Sequence, residues 1–177
     1  VMFIQYMSAS NDSLRIMHWL MGSLTGLDLP RLPDLAFIIL AGTLVLWRLA
    51  PEIDLMLAGE ELAASRGVEV RRTKLILFAV ASLMVGAIVS ITGPIGFVGM
   101  MVPHFCRLWL GPSHGSSHRW LIPASFFAGG CFLSLCDLLA RVLIAPAELP
   151  IAVIPALIGG PFFLWILFPA GRRGEFF

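Results

Sequence analysis

The most constraining feature of this chain is a stretch from Leu75 to Cys106 that contains no Asp, Glu, Lys or Arg. A membrane-spanning helix needs about 20 apolar residues, so this stretch is too long for one span and short for two. Glycines and prolines, which disfavour helix interiors, interrupt it in and just after TGPIGFVG (92–99). The residues expected to break the helix are Gly93, Pro94, Gly96, Gly99 and Pro103. We predict a span over 75–92, a turn, and a second span that reaches Leu110.

Further segments that are apolar enough to cross a membrane lie at 35–50, 120–143 and 151–171. The whole chain is 58% hydrophobic and 13% charged, whereas soluble domains are about 45–50% apolar and about 25% charged. This composition excludes a water-soluble globule, and the abundant apolar surface excludes disorder. We predict an all-α fold, a polytopic membrane helix bundle of about five transmembrane helices. An N-terminal remnant at 1–10 is interpreted as the end of a span that begins upstream, and 1–177 as a single transmembrane domain.

The basic residues predict the orientation of the spans, because Lys and Arg near span ends are retained in the cytoplasm. Because successive spans cross in opposite directions, each of the 12 Lys and Arg residues is assigned to one side of the membrane or the other. All of them except Arg15, Arg31 and Arg141 fall on the same side. This majority marks the loop 52–74, the loop 111–119 and the C-terminus as cytoplasmic. The segments predicted to face outward are 8–33, 93–99 and 143–150. The net charge of +1 and the absence of a basic stripe exclude a nucleic-acid partner.

The polar segment 52–74 is the strongest candidate for an interaction site. Its composition favours a short helix, a turn at Gly67 and a second short helix. The acidic pair Glu60–Glu61 precedes the turn, and a basic cluster follows it. Small residues such as Ala63 would let a partner approach closely. Two interpretations stay open: a solvated cytoplasmic helix in contact with anionic membrane lipid, and a docking element for a cytoplasmic protein.

Asp137 and Arg141 are the only oppositely charged pair within a hydrophobic segment. Their i, i+4 spacing places them on one helix face, where their side chains can pair. Counted from Trp120, they lie about 25 Å and about 31 Å along the helix, at the outer interface and not at the bilayer centre. Two interpretations stay open: a structural intrahelical pair with a snorkelling arginine, and Arg141 as the docking point of an acidic partner outside the membrane.

The sequence offers no catalytic site. No serine lies in a GxSx-type turn, and no HExxH motif or acidic pair at ligand spacing lies within a span. Cys106, Cys131 and Cys136 form no CxxC pair and are interpreted as small buried side chains. We predict no enzyme activity, no metal and no cofactor. A secondary transporter would need ionisable residues near the bilayer midplane, but the span centres lack Asp, Glu, Lys and Arg.

Together these segments resemble the FecCD-type permeases, the membrane subunits of ABC importers for iron–siderophores, haem and cobalamin. The resemblance is carried by LAGEELAASRGV (57–68), TGPIGFVGMMVPHFCRLWLGPSH (92–114) and SLCDLLARVLIAPAELPIAVIPALIGGPFFLWIL (134–167). The segment LRIMHWLMGSLTGLD (14–28) also looks like the family's connection between its fifth and sixth helices. The resemblance covers nearly the whole chain and corresponds to the C-terminal half of a ten-helix permease.

The resemblance implies roles for particular residues. In the family, the loop that matches 52–74 forms two short coupling helices in a cleft of a cytoplasmic ATPase, and Glu61, Ala63 and Gly67 follow the E-x-A-x-x-x-G pattern of ABC importers. The implied ATPase-coupling residues are Glu60, Glu61, Ala63, Gly67 and Val68. The match around Asp137 and Arg141 implies docking of a periplasmic or lipid-anchored substrate-binding protein, with Arg141 receiving a glutamate.

The resemblance further implies a permease subunit in the bacterial inner membrane that works by alternating access beside a second permease copy, in a homo- or heterodimer. ATP hydrolysis would belong to a separate subunit, since this chain has no GxxxxGK[ST] loop. Because one half alone is matched, the alternatives are a truncated or split permease fragment without autonomous transport, and a secondary transporter module.

Overall fold

The computed structural model describes residues 16, 19–24, 29–115, 117–143 and 150–173. Within these ranges all regular secondary structure is helical, beginning with a 3-10 turn at Leu29–Arg31. The α-helices are α1 Leu32–Arg48, α2 Ala50–Leu57, α3 Glu60–Ser65, α4 Val70–Thr92, α5 Val98–His114, α6 His118–Leu143 and α7 Val153–Arg173. The N-terminal remnant expected at 1–10 and most of the outward connection expected at 143–150 lie outside the described residues.

The long apolar segments of the sequence form helices, which confirms the prediction of an all-α membrane protein. α4 and residues His118–Val142 of α6 are each long and apolar enough to cross a membrane. α1 and α2 meet the same criterion only when the two are taken together, and they are bent by 51° at their junction. Residues Val153–Leu164 of α7 form a shorter apolar helix, and α5 lies at the position of the remaining predicted span.

The bend between α1 and α2 has a cause in the sequence. Leu49 separates the two helices, and its N–H donates to the carbonyl of Val45 at 3.1 Å. Pro51 follows in the first turn of α2 and has no N–H with which to continue the hydrogen bonding of α1. In a straight helix its ring would also clash with the carbonyl of Trp47, four residues earlier. α2 therefore leaves the axis of α1 where the predicted interaction segment begins.

One compact unit contains Leu27–Ile91 and Val102–Phe132. Within it, Gly42 of α1 is buried, and a Cβ at this position would overlap the side chain of Met84 in α4. Small residues permit this kind of close approach between helices in a membrane, where van der Waals packing replaces the hydrophobic effect. Ala50 of α2 and Ala63 of α3 are fully buried, so the two short helices are packed parts of this unit.

The other compact unit contains Thr92–Met101 and the described parts of 1–26 and 133–177. Its centre is the break between α4 and α5 at residues 93–97. Gly93 has a φ of +73°, and a Cβ there would overlap the backbone carbonyl oxygen of Trp19. The N–H of Ser23 donates to the carbonyl of Thr92 at 2.9 Å. The predicted turn is therefore present, and it packs against the segment that contains Trp19.

The break is shorter than the sequence predicts. Gly93, Pro94 and Gly96 lie in it, but Gly99 and Pro103 do not, because α5 already begins at Val98. Helices in a membrane tolerate glycine and proline where neighbouring groups satisfy the freed backbone atoms, so neither residue ends α5. Helical backbone continues to Leu110, the predicted end, and is interrupted at Gly111, where φ is 72° and ψ is 178°.

Large apolar side chains cover much of the surface. Trp109 is 89% exposed, and Phe37 and Phe78 are each 74% exposed. Such side chains are well solvated by lipid tails, which are as apolar as leucine, so this surface suits a membrane protein. Cys106 and Cys136 are buried as predicted, but the prediction of burial is wrong for Cys131, which is exposed on α6.

Candidate functional site

The predicted interaction segment forms two short helices, α2 and α3, joined by a turn at Ala58 and Gly59. Both glutamates of α3 lie in its first turn, where the positive end of the helix dipole favours carboxylates. After α3 a second turn at Gly67 leads directly into α4. The expected second short helix after Gly67 is therefore wrong, because that sequence is the beginning of α4. Its Arg and Lys residues are good helix formers and do not delay the start of the span.

Gly67 ends α3 through a pair of hydrogen bonds. The N–H of Gly67 donates to the carbonyl of Ala64 at 3.0 Å, and the N–H of Val68 donates to the carbonyl of Ala63 at 3.1 Å. This is a Schellman motif, which requires a left-handed residue directly after the helix, and Gly67 has a φ of +86°. Open space surrounds the position of a Cβ at Gly67. Backbone conformation alone therefore accounts for the glycine four residues after Ala63.

The side chains of α3 differ in burial and in partners. Ala63 is fully buried. The carboxylate of Glu60 is largely exposed and pairs with the ammonium group of Lys74 in α4 at 2.5 Å. Glu61 and Leu62 are exposed. Among the described residues, Glu61 has no ion-pair partner. An exposed ion pair therefore links α3 to the start of α4, and Glu61 and Leu62 form an accessible face.

A cleft of about 330 Å³ lies beside the second turn of the segment. Gly67 and Val68 line it together with charged side chains that include Arg66 and Arg72. Arg72 contacts Glu69 at 3.8 Å, and both of these side chains are largely exposed. Two of the five predicted coupling residues therefore lie on a charged, concave surface.

Two carboxylates of α2 contact the ends of the long helices α4 and α6. Glu52 accepts a hydrogen bond of 2.5 Å from the hydroxyl of Thr73 in α4, and Thr73 is buried. Asp54 accepts hydrogen bonds from the backbone N–H of His118 at 3.0 Å, the ring Nδ1 of His118 at 2.5 Å and the hydroxyl of Ser117 at 3.2 Å. The carboxylate of Asp54 thereby caps the N-terminus of α6.

The surroundings of Asp54 favour its ionised form. Partial burial raises the pKa of Asp54. The hydrogen bonds from the side chain and backbone of His118, the charge of its ring and the hydrogen bond from Ser117 together lower the pKa by more than burial raises it. The net pKa therefore lies below the ordinary value of 3.8. At neutral pH this carboxylate is a charged cap on the start of α6.

A second contact joins α1 to the start of α6. The indole Nε1 of Trp47 donates to the carbonyl of Arg119 at 3.0 Å, and the guanidinium of Arg119 lies 5.7 Å from the centroid of the Trp47 ring. This is a cation–π contact at an exposed site. Neighbouring residues of α6 therefore contact the chain on both sides of the bend at Leu49.

The predicted intrahelical pair is present in the other compact unit. The Nε atom of Arg141 donates to Asp137 at 2.8 Å, and its Nη2 atom donates to the second carboxylate oxygen at 3.3 Å. The Arg141 side chain is 48% exposed. The pairing thus agrees with the i, i+4 spacing, and about half of the Arg141 side chain is exposed.

The structure brings the five predicted coupling residues into one element, at α3 and the turn that follows it. Sequence reasoning missed the groups that anchor this element, which are Glu52, Asp54, Thr73, Ser117 and His118. These contacts join residues 21 to 64 positions apart, and no local periodicity predicts them. Among the described residues, no three His, Cys, Asp or Glu side chains are grouped so that they could hold a metal ion.

Comparison with known proteins gives a consistent result. The model of the FecCD transport family matches residues 1–169. The chain is 37% identical over 164 residues to the hemin transport system permease protein HmuU of Yersinia pestis, a match that covers 93% of this chain and 48% of that protein. It is 46% identical over 151 residues to the cobalamin import system permease protein BtuC of Halobacterium salinarum, which covers 85% of this chain and 39% of that protein.

A solved structure described as a metal-chelate type ABC transporter in an inward-facing conformation has a TM-score of 0.82 and 30% sequence identity. The match covers 94% of this chain and 53% of that chain. This chain spans about half the length of the curated relatives it matches. Since the family model covers nearly all of its residues and the relatives exceed 30% identity, the chain belongs to the FecCD transport family.

Proposed function

We propose that this chain is the ATPase-coupling half of the membrane permease of an ABC importer for metal chelates. The observation that carries the proposal is the element α2–α3 with its Schellman turn at Gly67, which leaves Glu61 exposed on a helix that an ion pair links to α4. Membership of the FecCD transport family supports the same function. Relatives named for hemin and cobalamin transport favour an iron–siderophore, haem or cobalamin-type chelate as the substrate.

The partners follow from this function. A cytoplasmic ATPase would receive the segment 52–74, and a periplasmic or lipid-anchored binding protein would deliver the chelate on the other side. A second permease copy would complete the translocation pathway within the lipid of the bacterial inner membrane. The distribution of Lys and Arg supports a cytoplasmic location for 52–74, 111–119 and the C-terminus. We propose that 1–177 forms a single transmembrane domain in that assembly.

The mechanism would be alternating access driven by the partner ATPase. When the two ATPase subunits close on ATP, they would push on the exposed face of α3. The contact between Glu60 and Lys74 would pass that displacement to α4, and close packing at Gly42 would allow α1 and α4 to move together. The cavity between two permease copies would then change the side on which it opens. This chain itself would perform no chemical step.

On the outer side, Arg141 is the candidate contact of the binding protein. Its pairing with Asp137 supports a structural role, and its half-exposed side chain supports a docking role. The two roles are compatible, because an i, i+4 pair on a helix contributes only about 0.3–0.5 kcal/mol, so that a glutamate of a partner can compete with Asp137. Exchange of Arg141 for Glu should then weaken docking, and an unchanged affinity for the binding protein would contradict this role.

A charge exchange at Glu61 tests the proposed function most directly. Glu61→Lys should leave the fold intact, since the side chain is exposed and unpaired among the described residues. It should uncouple ATP hydrolysis from uptake of hemin or cyanocobalamin in liposomes that contain the complete transporter. Gly67→Pro should have the same effect, because proline cannot adopt the φ of +86°. Retention of substrate-stimulated ATPase activity and uptake in both variants would refute the assignment.

Glu60 needs a matched control because it has an internal partner. Glu60→Lys removes the contact with Lys74, and the double variant Glu60→Lys with Lys74→Glu restores an ion pair of reversed polarity. Recovery of uptake in the double variant would assign Glu60 to the internal contact. Continued uncoupling with a native helix content would assign it to the ATPase interface.

Co-purification with tagged chain is a second test of the proposed function. Capture of an ATPase subunit that is lost in Glu61→Lys supports the importer, whereas absence of any ATPase contradicts it.

A further inference from the structure

We call α2, α3 and the turn at Gly67 the coupling element. We infer that Asp54 is a positioning residue that fastens this element to the start of α6 and holds the angle between α1 and α2. This inference deepens the proposed function and rests on it for its mechanistic meaning. Three donors converge on the Asp54 carboxylate: the backbone N–H of His118, its ring Nδ1 and the hydroxyl of Ser117. Asp54 lies 64 residues from His118, so the contact ties together distant parts of the chain.

α2 is held on two opposite sides. Glu52 and Asp54 are two positions apart, which on a helix places their side chains roughly 200° apart around the axis. Glu52 accepts from Thr73 at the start of α4, and Asp54 accepts from His118 at the start of α6. α2 is therefore a bridge between two of the helices that are long and apolar enough to cross a membrane.

The same end of α6 also holds the helix that precedes the bend. Trp47 of α1 donates to the carbonyl of Arg119, and Asp54 of α2 contacts the adjacent residue, His118. The helices on both sides of the 51° bend at Leu49 are thus held by contacts to two consecutive residues of α6, His118 and Arg119. α2 cannot swing about Leu49 without separating Asp54 from the start of α6.

This geometry gives Asp54 a role in the proposed transport cycle. A displacement of α3 by the ATPase reaches α4 through Glu60 and Lys74 whether or not Asp54 is present. It reaches α6 through the Asp54 contacts. Loss of the carboxylate should let α2 pivot at Leu49, so that α6 no longer follows the coupling element. ATP hydrolysis would then continue with less transport per ATP.

Two measurements on the full chain test the inference, and the first needs no partner. Hydrogen exchange in lipid nanodiscs reads the backbone amides of α2 and of the first turn of α6, including the His118 amide that donates to Asp54. Asp54→Ala should raise exchange in both segments by about tenfold, the consequence of losing a charge-assisted hydrogen bond. Asp54→Asn keeps an acceptor oxygen and should restore part of the protection. Unchanged exchange in Asp54→Ala would overturn the inference.

The second measurement is the ratio of hemin or cyanocobalamin uptake to ATP hydrolysis in liposomes that hold the complete transporter. Asp54→Ala should lower this ratio about fivefold or more, the lower limit of usual coupling energies, while ATPase binding stays intact. Asp34→Ala is the matched control, because it removes an exposed carboxylate in the first turn of α1, outside the segment 52–74. An equal loss in Asp34→Ala, or an unchanged ratio in Asp54→Ala, would overturn the positioning role. Absence of ATP-driven uptake in the unaltered chain would instead contradict the proposed function, and the exchange measurement would still decide whether Asp54 anchors α6.

Discussion

Alanine substitutions at Gly93, Gly67 and Gly96 would separate the two reasons for which a glycine is needed. Gly93 has a φ of +73°, and a Cβ there would overlap the carbonyl oxygen of Trp19. Gly67 has a φ of +86° but lies in open space. Gly96 has neither a positive φ nor a neighbouring atom within 4 Å of a Cβ. Gly93 is therefore constrained by both its φ and the lack of space, Gly67 by its φ alone, and Gly96 by neither.

The expected effects on the free energy of unfolding follow in that order. A left-handed conformation costs a residue with a Cβ about 1–2 kcal/mol, which is the loss expected for Gly67→Ala. Overlap with a packed neighbour adds about 1–3 kcal/mol, so Gly93→Ala should lose about 2–5 kcal/mol. Gly96→Ala should be neutral or gain up to about 1 kcal/mol, because alanine restricts the unfolded chain.

Titration of the chain from a mild detergent into dodecyl sulfate, followed by far-UV circular dichroism and by the fluorescence of its 5 tryptophans, measures these losses. Gly67→Asn is the control for conformation, since asparagine adopts positive φ more readily than alanine and should recover part of the stability. If Gly96→Ala is as destabilising as Gly93→Ala, or if Gly67→Ala is worse than Gly93→Ala, the reasoning from φ and space is refuted.

Three further substitutions test other contacts. Asp54→Asn should lower the free energy of unfolding at neutral pH. In unfolding titrations below pH 3.8, the variant and the unaltered chain should become more alike. The reason is that the lowered pKa of Asp54 keeps its carboxylate ionised, and therefore stabilising, down to that pH. Gly159→Ala should cost about 1–3 kcal/mol, since a Cβ would overlap the Cβ of Phe97; adding Phe97→Gly should remove most of that loss in the same unfolding assay. Asp137→Asn should change stability by only about 0.5 kcal/mol and leave docking of the binding protein unchanged, whereas Arg141→Gln should weaken docking in a binding assay with that protein.

The sequence predicts the long helices well, because in lipid a helix must satisfy its own backbone and a charge-free apolar run has few other conformations. The paired Asp137 and Arg141 were predictable for the same local reason, since the helical repeat alone brings them together. The helix boundaries are harder to predict from the sequence. α4 begins at Val70 and not at residue 75, because Arg71, Arg72 and Lys74 are good helix formers and extend the helix beyond the charge-free run.

The coupling element was predictable in part. Glycine at position 67 and the acidic pair before it indicate a helix end and a helix start, and both are present. The anchors Asp54 and His118 were not predictable, because they meet only when α2 is bent away from α1 and the start of α6 is nearby. Such contacts depend on tertiary packing, which no local sequence period encodes.

The Schellman turn also sets a rule for length variation in this segment. Ala63 is buried, and its carbonyl is the acceptor that closes the turn one residue beyond Gly67. One residue inserted between them would rotate the preceding part of α3 by roughly 100° relative to the turn, turning Glu61 away from its present exposed direction. Insertions before Gly59 or after Val68 would leave this rotation unchanged. Homologous chains that differ in loop length should therefore carry their extra or missing residues outside the interval from 60 to 68. Within that interval the number of residues should stay constant.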